Sequence, residues 1–271
     1  MRTQKEKGEI FRALHARERA FIIPNPWDIG TARLLDELGF EALATTSAGY
    51  AFSVGKLDNT VDRLPVMEHV TALASVSDLP VSADLGNGFG DAPEIIAESI
   101  RLAADAGAVG GSIEDAAGRA DHRFYDHEHA ADRIRAAVEA ARALPFPFTL
   151  TARAENYLYG KPDLKDTIRR LQLYQSAGAD VLYAPGIVSR DDIAAMVSSV
   201  DRPVNVLVGL PGADYSLNDL SAMGVRRVSV GSALCRAALG AFMRAAREMR
   251  EKGTFTFAAE AVSSLSSLFQ P

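Results

Sequence analysis

A short β-branched or apolar run, then a polar or Gly-containing stretch, then an amphipathic helical segment: this order recurs from one end of the chain to the other. The strand-like runs fall at 20–24, 42–46, 80–85, 109–114, 148–153, 180–184, 203–207 and 226–230. Helix-like segments follow at 29–38, 66–77, 93–106, 127–144, 164–177, 190–200, 217–223 and 233–250. Gly39, Gly107, Gly178 and Gly224 each stand directly after a helical pattern. Glycine can end a helix in the left-handed conformation because it has no Cβ to clash. Strands that alternate with helices pair in parallel. Eight such units in about 250 residues predict an α/β fold of the (β/α)8 TIM-barrel type. An open doubly wound sheet uses about six strands and leaves the last two without a place.

No linker or low-complexity tract divides the chain, so a single barrel domain over 1–271 is expected. Residues 1–19 read as an extra N-terminal helix and 254–271 as a C-terminal helical extension. The extension carries Phe255, Phe257, Val262, Leu265, Leu268 and Phe269. A segment that apolar is expected to pack on another subunit, in a homodimer or homotetramer. The charge balance, 29 Lys+Arg against 35 Asp+Glu, leaves −6. Such a chain lacks the basic face that nucleic-acid binding needs. A single cysteine, Cys235, can build neither an internal disulfide nor a Cys-rich zinc site. No run reaches the ~20 apolar residues that span a bilayer, and the charged N-terminus lacks the apolar core of a signal peptide. A cytoplasmic protein without a membrane or nucleic-acid partner is expected.

In barrels of this kind, functional groups sit at the carboxyl ends of the strands. Those positions hold Asn25-Pro26-Trp27-Asp28, Thr45 to Gly49, Asp84, Glu114-Asp115, Arg153-Ala154-Glu155, Pro185-Gly186, Asn205 and Gly231-Ser232. Several carboxylates and one arginine therefore converge on one rim. Carboxylate and water oxygens suit Mg2+, and a guanidinium suits a carboxylate or phosphonate. Such a site fits a small α-oxo acid, with the metal polarising its carbonyl. Local readings stand beside these: Asp84 also suits a turn cap, Ser47 an ST-turn, Trp27 a core position and Asn205 a hydrogen-bonder inside the barrel. His127 and His129 are two residues apart and point about 200° apart on a helix, so they form no metal pair.

Taken in order, Ser47-Ala48-Gly49, Asp84…Gly88-Phe89-Gly90, Ser112-Ile113-Glu114-Asp115 and Thr151-Ala152-Arg153 resemble the isocitrate lyase / phosphoenolpyruvate mutase superfamily, over residues 24–231. The resemblance implies a (β/α)8 barrel, Mg2+, a helix exchanged between subunits, and the making or breaking of C–C or P–C bonds beside an α-oxo acid. It implies Asp84 and Glu114 as metal-side acids, the second acting through water. It implies Asp58 as an outer aspartate that positions water or the reacting group. Ser47, Ala48 and Gly49 become the carboxylate-binding turn, Arg153 the substrate clamp, and Trp27 a wall of the pocket; Asn205, from its place near the end of the seventh strand alone, is a further candidate for substrate binding.

Three departures from the family pattern narrow the expectation. The lyase loop after the fourth strand carries a catalytic cysteine, but here 116–124 has none. Gly86 stands where a second metal-side aspartate is usual, and the glutamate common after the sixth strand is replaced near Pro185-Gly186. Asn87 is a neutral substitute ligand, and Arg119, Asp121 and His122 are the loop's acid/base candidates. The expected function is an Mg2+-dependent lyase or decarboxylase for a small α-oxo or 2-hydroxy dicarboxylate, and not a true isocitrate lyase. The alternatives are a P–C bond mutase or hydrolase, or a non-catalytic α-oxo acid binder.

Overall fold

A computed structural model of the chain describes residues 1–118, 124–262, 265 and 269. It opens with α1 (Gln4–His15), β1 (Phe21–Ile23), α2 (Ile29–Glu37), β2 (Leu43–Ala44), α3 (Ser47–Ser53) and α4 (Arg63–Ala74). Then come β3 (Val81–Asp84), α5 (Pro93–Asp105), β4 (Gly110–Glu114), α6 (His127–Arg142), β5 (Thr149–Arg153) and α7 (Leu164–Ser176). The last third holds β6 (Val181–Tyr183), α8 (Arg190–Ser198), β7 (Val204–Leu207), α9 (Leu217–Ala222), β8 (Arg227–Ser229) and α10 (Ala233–Lys252). All eight strands are parallel, in the order β1-β8-β7-β6-β5-β4-β3-β2. The Ala44 N–H donates to the Pro24 carbonyl at 3.0 Å and brings the two ends of the sheet together. The chain is a (β/α)8 barrel.

Every position of β6 and β8, and all but one of β4 and β5, is buried. That is the pattern of parallel strands covered on both faces. Ile96 and Ile100 of α5 and Ile134 of α6 pack with Leu85, Ile113 and Leu150. The four glycines expected to end helices carry φ of 81°, 96°, 103° and 85°. Asp28, Asp126, Asp163, Ser189 and Ser216 cap the helices that follow them. At the amino-terminal mouth, Phe11 and Leu14 of α1 are fully buried with Phe21 and Val109. Gly110 makes this possible, since a Cβ there would meet the Phe11 ring at 2.6 Å and the Thr149 carbonyl at 2.9 Å.

Two elements differ from the sequence expectation. Ser47–Ser53 forms a helix, capped by the Thr46 hydroxyl, where a turn was expected. Over 254–262, the first half of the expected helical extension, the structure forms one 3-10 turn, Thr256–Glu260, and most of 263–271 lies outside the described residues. Gly253 ends α10 in the left-handed region (φ 64°). The Glu248 carboxylate then accepts from both the Thr254 and Thr256 hydroxyls, at 2.8 and 2.9 Å, and from the Thr256 N–H at 2.6 Å. Those local bonds compete with helix continuation. Leu268 lies outside the described residues. Among the described residues, no helix is long and apolar enough to cross a membrane.

Candidate active site

The barrel register aligns the polar rim. Glu114, Arg153, Tyr183, Asn205 and Arg227 are successive Cα partners across β4 to β8. Asp84 pairs with Ser112 on the neighbouring row. Arg153 stands at the centre of an acidic cluster. Its Nη1 donates to Asp84 Oδ1 at 2.9 Å. Its Nε and Nη2 reach Glu155 Oε1 at 3.0 and 2.8 Å, and Nη2 lies 3.3 Å from Glu114 Oε2. The Nε–H and one Nη1 N–H are hydrogen-bonded and Nη2 is held in ion-pair contact, which leaves the second Nη1 N–H for a ligand. Behind it lies the Tyr183 ring, 5.1 Å from the guanidinium carbon.

Asp84 is tied down as firmly. Its Oδ2 accepts the Ser47 N–H at 3.0 Å and its Oδ1 accepts the Ser112 hydroxyl at 3.3 Å. Burial first, then repulsion from Glu155, outweighs Arg153 and pushes the Glu114 carboxyl well above its usual range. Glu155 is likewise raised, by burial and by Asp115 against the pull of Arg153. Burial works against the Arg153 charge, but Glu155, Glu114 and Asp84 more than offset it and hold the guanidinium protonated. Asp58 reaches the same cluster from an exposed loop. Partial withdrawal from water and repulsion from Asp84 raise it, while the Ser47 hydroxyl works in the opposite direction.

A cavity of about 550 Å3 opens at this rim, lined by Ser47, Ala48, Asp58, Asp84, Arg153 and Asn205 among others. A smaller recess of about 90 Å3 shares Ser47 and Asp84 with it and is lined also by Glu114 and Asn87. The structure thus brings together Asp58, Asp84, Glu114, Arg153, Ser47, Ala48 and Asn205. Trp27 and Gly49 are not among the lining residues. They pack together behind Ser47, where a Cβ on Gly49 would meet Trp27 Cβ at 3.1 Å and Thr46 Cγ2 at 2.6 Å. The Gly49 N–H is already given to the Thr46 hydroxyl at 3.2 Å. Asn205 is bonded on both sides, to Arg227 Nε through Oδ1 and to the Ser229 hydroxyl through Nδ2, each at 2.9 Å. His127 and His129 diverge, to Asp166 and to the Asp91 carbonyl. The loop candidates Arg119, Asp121 and His122 lie outside the described residues. Cys235 is buried with its Sγ 3.9 Å from the Gly49 carbonyl, far from any acid/base role in the rim.

Three further residues complete the site: Glu155, a rim position in the sequence without an assigned role, and Tyr183 and Arg227, which the sequence reading did not single out. Glu155 is buried against Arg153, and Tyr183 lies beneath it. Arg227 lines the cavity from the first residue of β8. The signal for Arg227 was a charged residue inside an apolar strand pattern. Asp115, adjacent to Glu114, is not a rim residue. It is buried and bonded to Arg170, Tyr174 and the Glu155 N–H.

The donor set bears on whether a metal fits. Among the described residues three carboxylates, Asp84, Glu114 and Glu155, contact one guanidinium and Asp58 adds a fourth acid nearby, a surplus of negative charge that a cation would balance. Among the described residues, no three His, Cys, Asp or Glu side chains form a cage for an ion. Mg2+ needs none, since it is held by one or two carboxylates with water and ligand oxygens completing the shell. Asp84, on the cavity wall, and Glu114 suit that mode. Gly86 adds nothing, and its left-handed backbone (φ 54°) disfavours any side chain there. Asn87 Oδ1 is engaged by the Phe89 N–H at 3.0 Å.

An acid–guanidinium cluster at the carboxyl rim of an eight-stranded parallel barrel defines the class, a barrel of the catalytic type. Residues 11–250 match the phosphoenolpyruvate phosphomutase family model, and the chain belongs to the phosphoenolpyruvate mutase / isocitrate lyase superfamily. Its members include oxaloacetate decarboxylases, 2-methylisocitrate lyases and phosphonopyruvate hydrolase. A crystal structure from Burkholderia cenocepacia J2315, provisionally described as a lyase/mutase, is 63% identical, with a TM-score of 0.97 over 99% of this chain and 97% of that one. An oxaloacetate decarboxylase of Pseudomonas savastanoi pv. phaseolicola is 30% identical over 89% of this chain and 84% of its own. A phosphonopyruvate hydrolase in complex with oxalate and Mg2+ is 25% identical, with a TM-score of 0.84 over 97% and 93% of the two chains.

Proposed function

We propose that the protein is an Mg2+-dependent carbon–carbon lyase or decarboxylase for a small α-oxo or 2-hydroxy dicarboxylate. The observation that carries this reading is the Asp84–Arg153–Glu114 cluster facing a cavity sized for a small acid. Asp84 would hold the metal directly and Glu114 through water. When bound, Mg2+ would supply positive charge to polarise the α-oxo group and stabilise an enolate. Arg153 fixes both carboxylates and offers its remaining Nη1 N–H to the substrate acid group. Ser47 and Ala48 line the adjoining wall. Asp58, raised in pKa, holds or moves a proton at the cavity mouth.

The test is product detection with Mg2+ and a panel of oxaloacetate, 2-alkyl-substituted malates and phosphonopyruvate. Turnover of a dicarboxylate is expected, with kcat/KM falling about 10²–10³-fold in Asp84→Ala. Mn2+ binding, followed by its paramagnetic resonance signal, should weaken in the same variant. Turnover of phosphonopyruvate alone would move the protein to P–C bond chemistry. Ligand-induced thermal stabilisation without any turnover would make it a binder, the reading favoured by Gly86 and the nearly saturated Arg153.

We also infer that the protein works as a homodimer or homotetramer. Leu234, Leu239, Phe242, Met243 and Met249 of α10 are exposed, and of that helix only Cys235 is buried. An amphipathic helix left so uncovered calls for a second copy. Sedimentation should give a dimer or larger at micromolar concentration, and a monomer there would overturn the assignment.

A further inference from the structure

The buried arginines of this barrel are neutralised in different ways. Arg153 has three carboxylates, and Arg170 has Asp115 and Asp166. Arg133, away from the cavity, donates to the carbonyls of Glu114, Asn87 and Gly90. Arg227 is only 5% exposed and has neutral partners alone. Its Nε donates to Asn205 Oδ1 at 2.9 Å, its Nη2 to Thr151 Oγ1 at 3.0 Å, and its Nη1 lies 3.4 Å from His15 Nε2.

His15 cannot supply a charge of either useful sign. Burial, and then the Arg227 charge itself, pushes its pKa down to about 3, so the ring is neutral. Its Nδ1 lies 2.8 Å from the Phe11 carbonyl, which can only accept. The proton is therefore on Nδ1, and the Nε2 lone pair faces Arg227. Three of the five guanidinium N–H groups are thus bonded and two remain. Among the described residues no carboxylate pairs with this cation, yet it lines the same cavity as Asp84 and Arg153.

Register explains how it gets there. Glu114, Arg153 and Tyr183 are the last residues of their strands, Asn205 is the second of β7, and Arg227 is the first of β8. In a sheared barrel, in-register neighbours step along the axis as they go round it. The row that starts at the catalytic rim therefore descends into the barrel and ends on Arg227. A buried cation held by neutral groups alone is unfavourable, and because Arg227 lines the cavity an anionic ligand there would be stabilised by it.

We propose that Arg227, oriented by Asn205 and Thr151, is a second anion-binding position on the barrel floor that takes the distal carboxylate of a dicarboxylate whose α-oxo acid end lies at Asp84. The proposal rests on the reading of the rim as an α-oxo acid site and sets its substrate class: diacids long enough to reach the floor. Asn205 and Thr151 are positioning residues here.

The test is calorimetric titration of the full-length protein in Mg2+ with oxalate, which reaches only the rim, and with 2-oxoglutarate and succinate, which carry a second carboxylate further off. Arg227→Met should bind oxalate as the wild type does and lose roughly 10–100-fold in affinity for the diacids. Arg227→Lys should recover part of the loss. Without ligand, Arg227→Met should melt at or above the wild-type temperature, because it removes an uncompensated charge. Its diacid-induced rise in melting temperature should vanish. Equal diacid affinity in wild type and Arg227→Met would overturn the proposal, and so would a parallel loss for oxalate and diacids. An Arg227→Met that fails to fold while Arg227→Lys keeps wild-type diacid affinity would also overturn it. Diacid binding that depends on Arg227 with no oxalate binding at all would leave Arg227 standing and remove the rim reading instead.

Discussion

Arg153→Met should abolish turnover and destabilise the fold by about 3–5 kcal/mol at neutral pH, the cost of leaving buried charge without its partner. Among the described residues Arg153 is the only cation in contact with Asp84, Glu114 and Glu155, whose side chains are 16%, 5% and 2% exposed. Removing it leaves three neighbouring carboxylates with no opposite charge in contact among the described residues. The loss should depend on pH in a defined direction. Glu114 and Glu155 already have folded-state pKa values raised above the ordinary 4.5. An acid of that kind contributes stability that is fully present below its unfolded pKa and is lost as pH rises through its folded pKa. Without Arg153 both values rise further, so the variant should fall further behind the wild type as pH climbs from about 4.5 to neutrality and beyond. Urea denaturation of both proteins at pH 5 and pH 8 reads this out. A stability gap that is the same at both values, or wider at pH 5, would refute the account of the cluster. Arg153→Lys should restore part of the stability and little of the turnover. One ammonium point charge cannot hold three acids in the geometry of a guanidinium fork.

The barrel was legible because its signals are local. Each strand–helix unit writes its own periodicity, and Gly39, Gly107, Gly178 and Gly224 each stand two residues past the end of a helix. The rim was legible for a related reason: a residue at the carboxyl end of a strand faces the site whatever its partner, which placed Asp84, Glu114 and Arg153. What stayed hidden depends on register between strands distant in sequence. Arg153 reaches Asp84 across 69 residues, and Arg227 reaches Thr151 across 76. Nothing in either segment alone announces those pairs. The helix Ser47–Ser53 was missed because seven residues are too few to show a period and its cap, Thr46, looked like the end of a strand. The neighbours Glu114 and Asp115 were similar as letters and are both buried, and only the direction of each side chain separates them. Glu114 faces Arg153 at the rim, whereas Asp115 turns toward α7.

That turn makes Asp115 the second position where a single change should have a large effect. Its Oδ2 accepts from Arg170 Nη1 at 2.9 Å and from the Tyr174 hydroxyl at 2.6 Å, and its Oδ1 accepts the Glu155 N–H at 2.9 Å. Its backbone N–H donates to the Arg153 carbonyl at 3.1 Å. One carboxylate, 2% exposed, thus binds the end of β4 to α7 and fixes the residue that fixes Arg153. Asp115→Ala strands the Tyr174 hydroxyl and the Glu155 N–H and leaves Arg170 with Asp166 alone as its acidic partner. The expected cost is about 3–5 kcal/mol, as for a broken buried pair. Asp115→Asn keeps the volume and the acceptor and should cost about half as much. Both should lower kcat, although Asp115 lines neither cavity, because Glu155 would no longer hold Arg153 against Asp84 and Glu114. Urea denaturation and steady-state kinetics on the folded fraction separate the two effects. A destabilised Asp115→Ala with wild-type kcat would show that Glu155 keeps Arg153 in place unaided. Full stability in that variant would show that Arg170 is satisfied by Asp166 and the Tyr125 carbonyl, with Asp115 dispensable to the joint between β4 and α7.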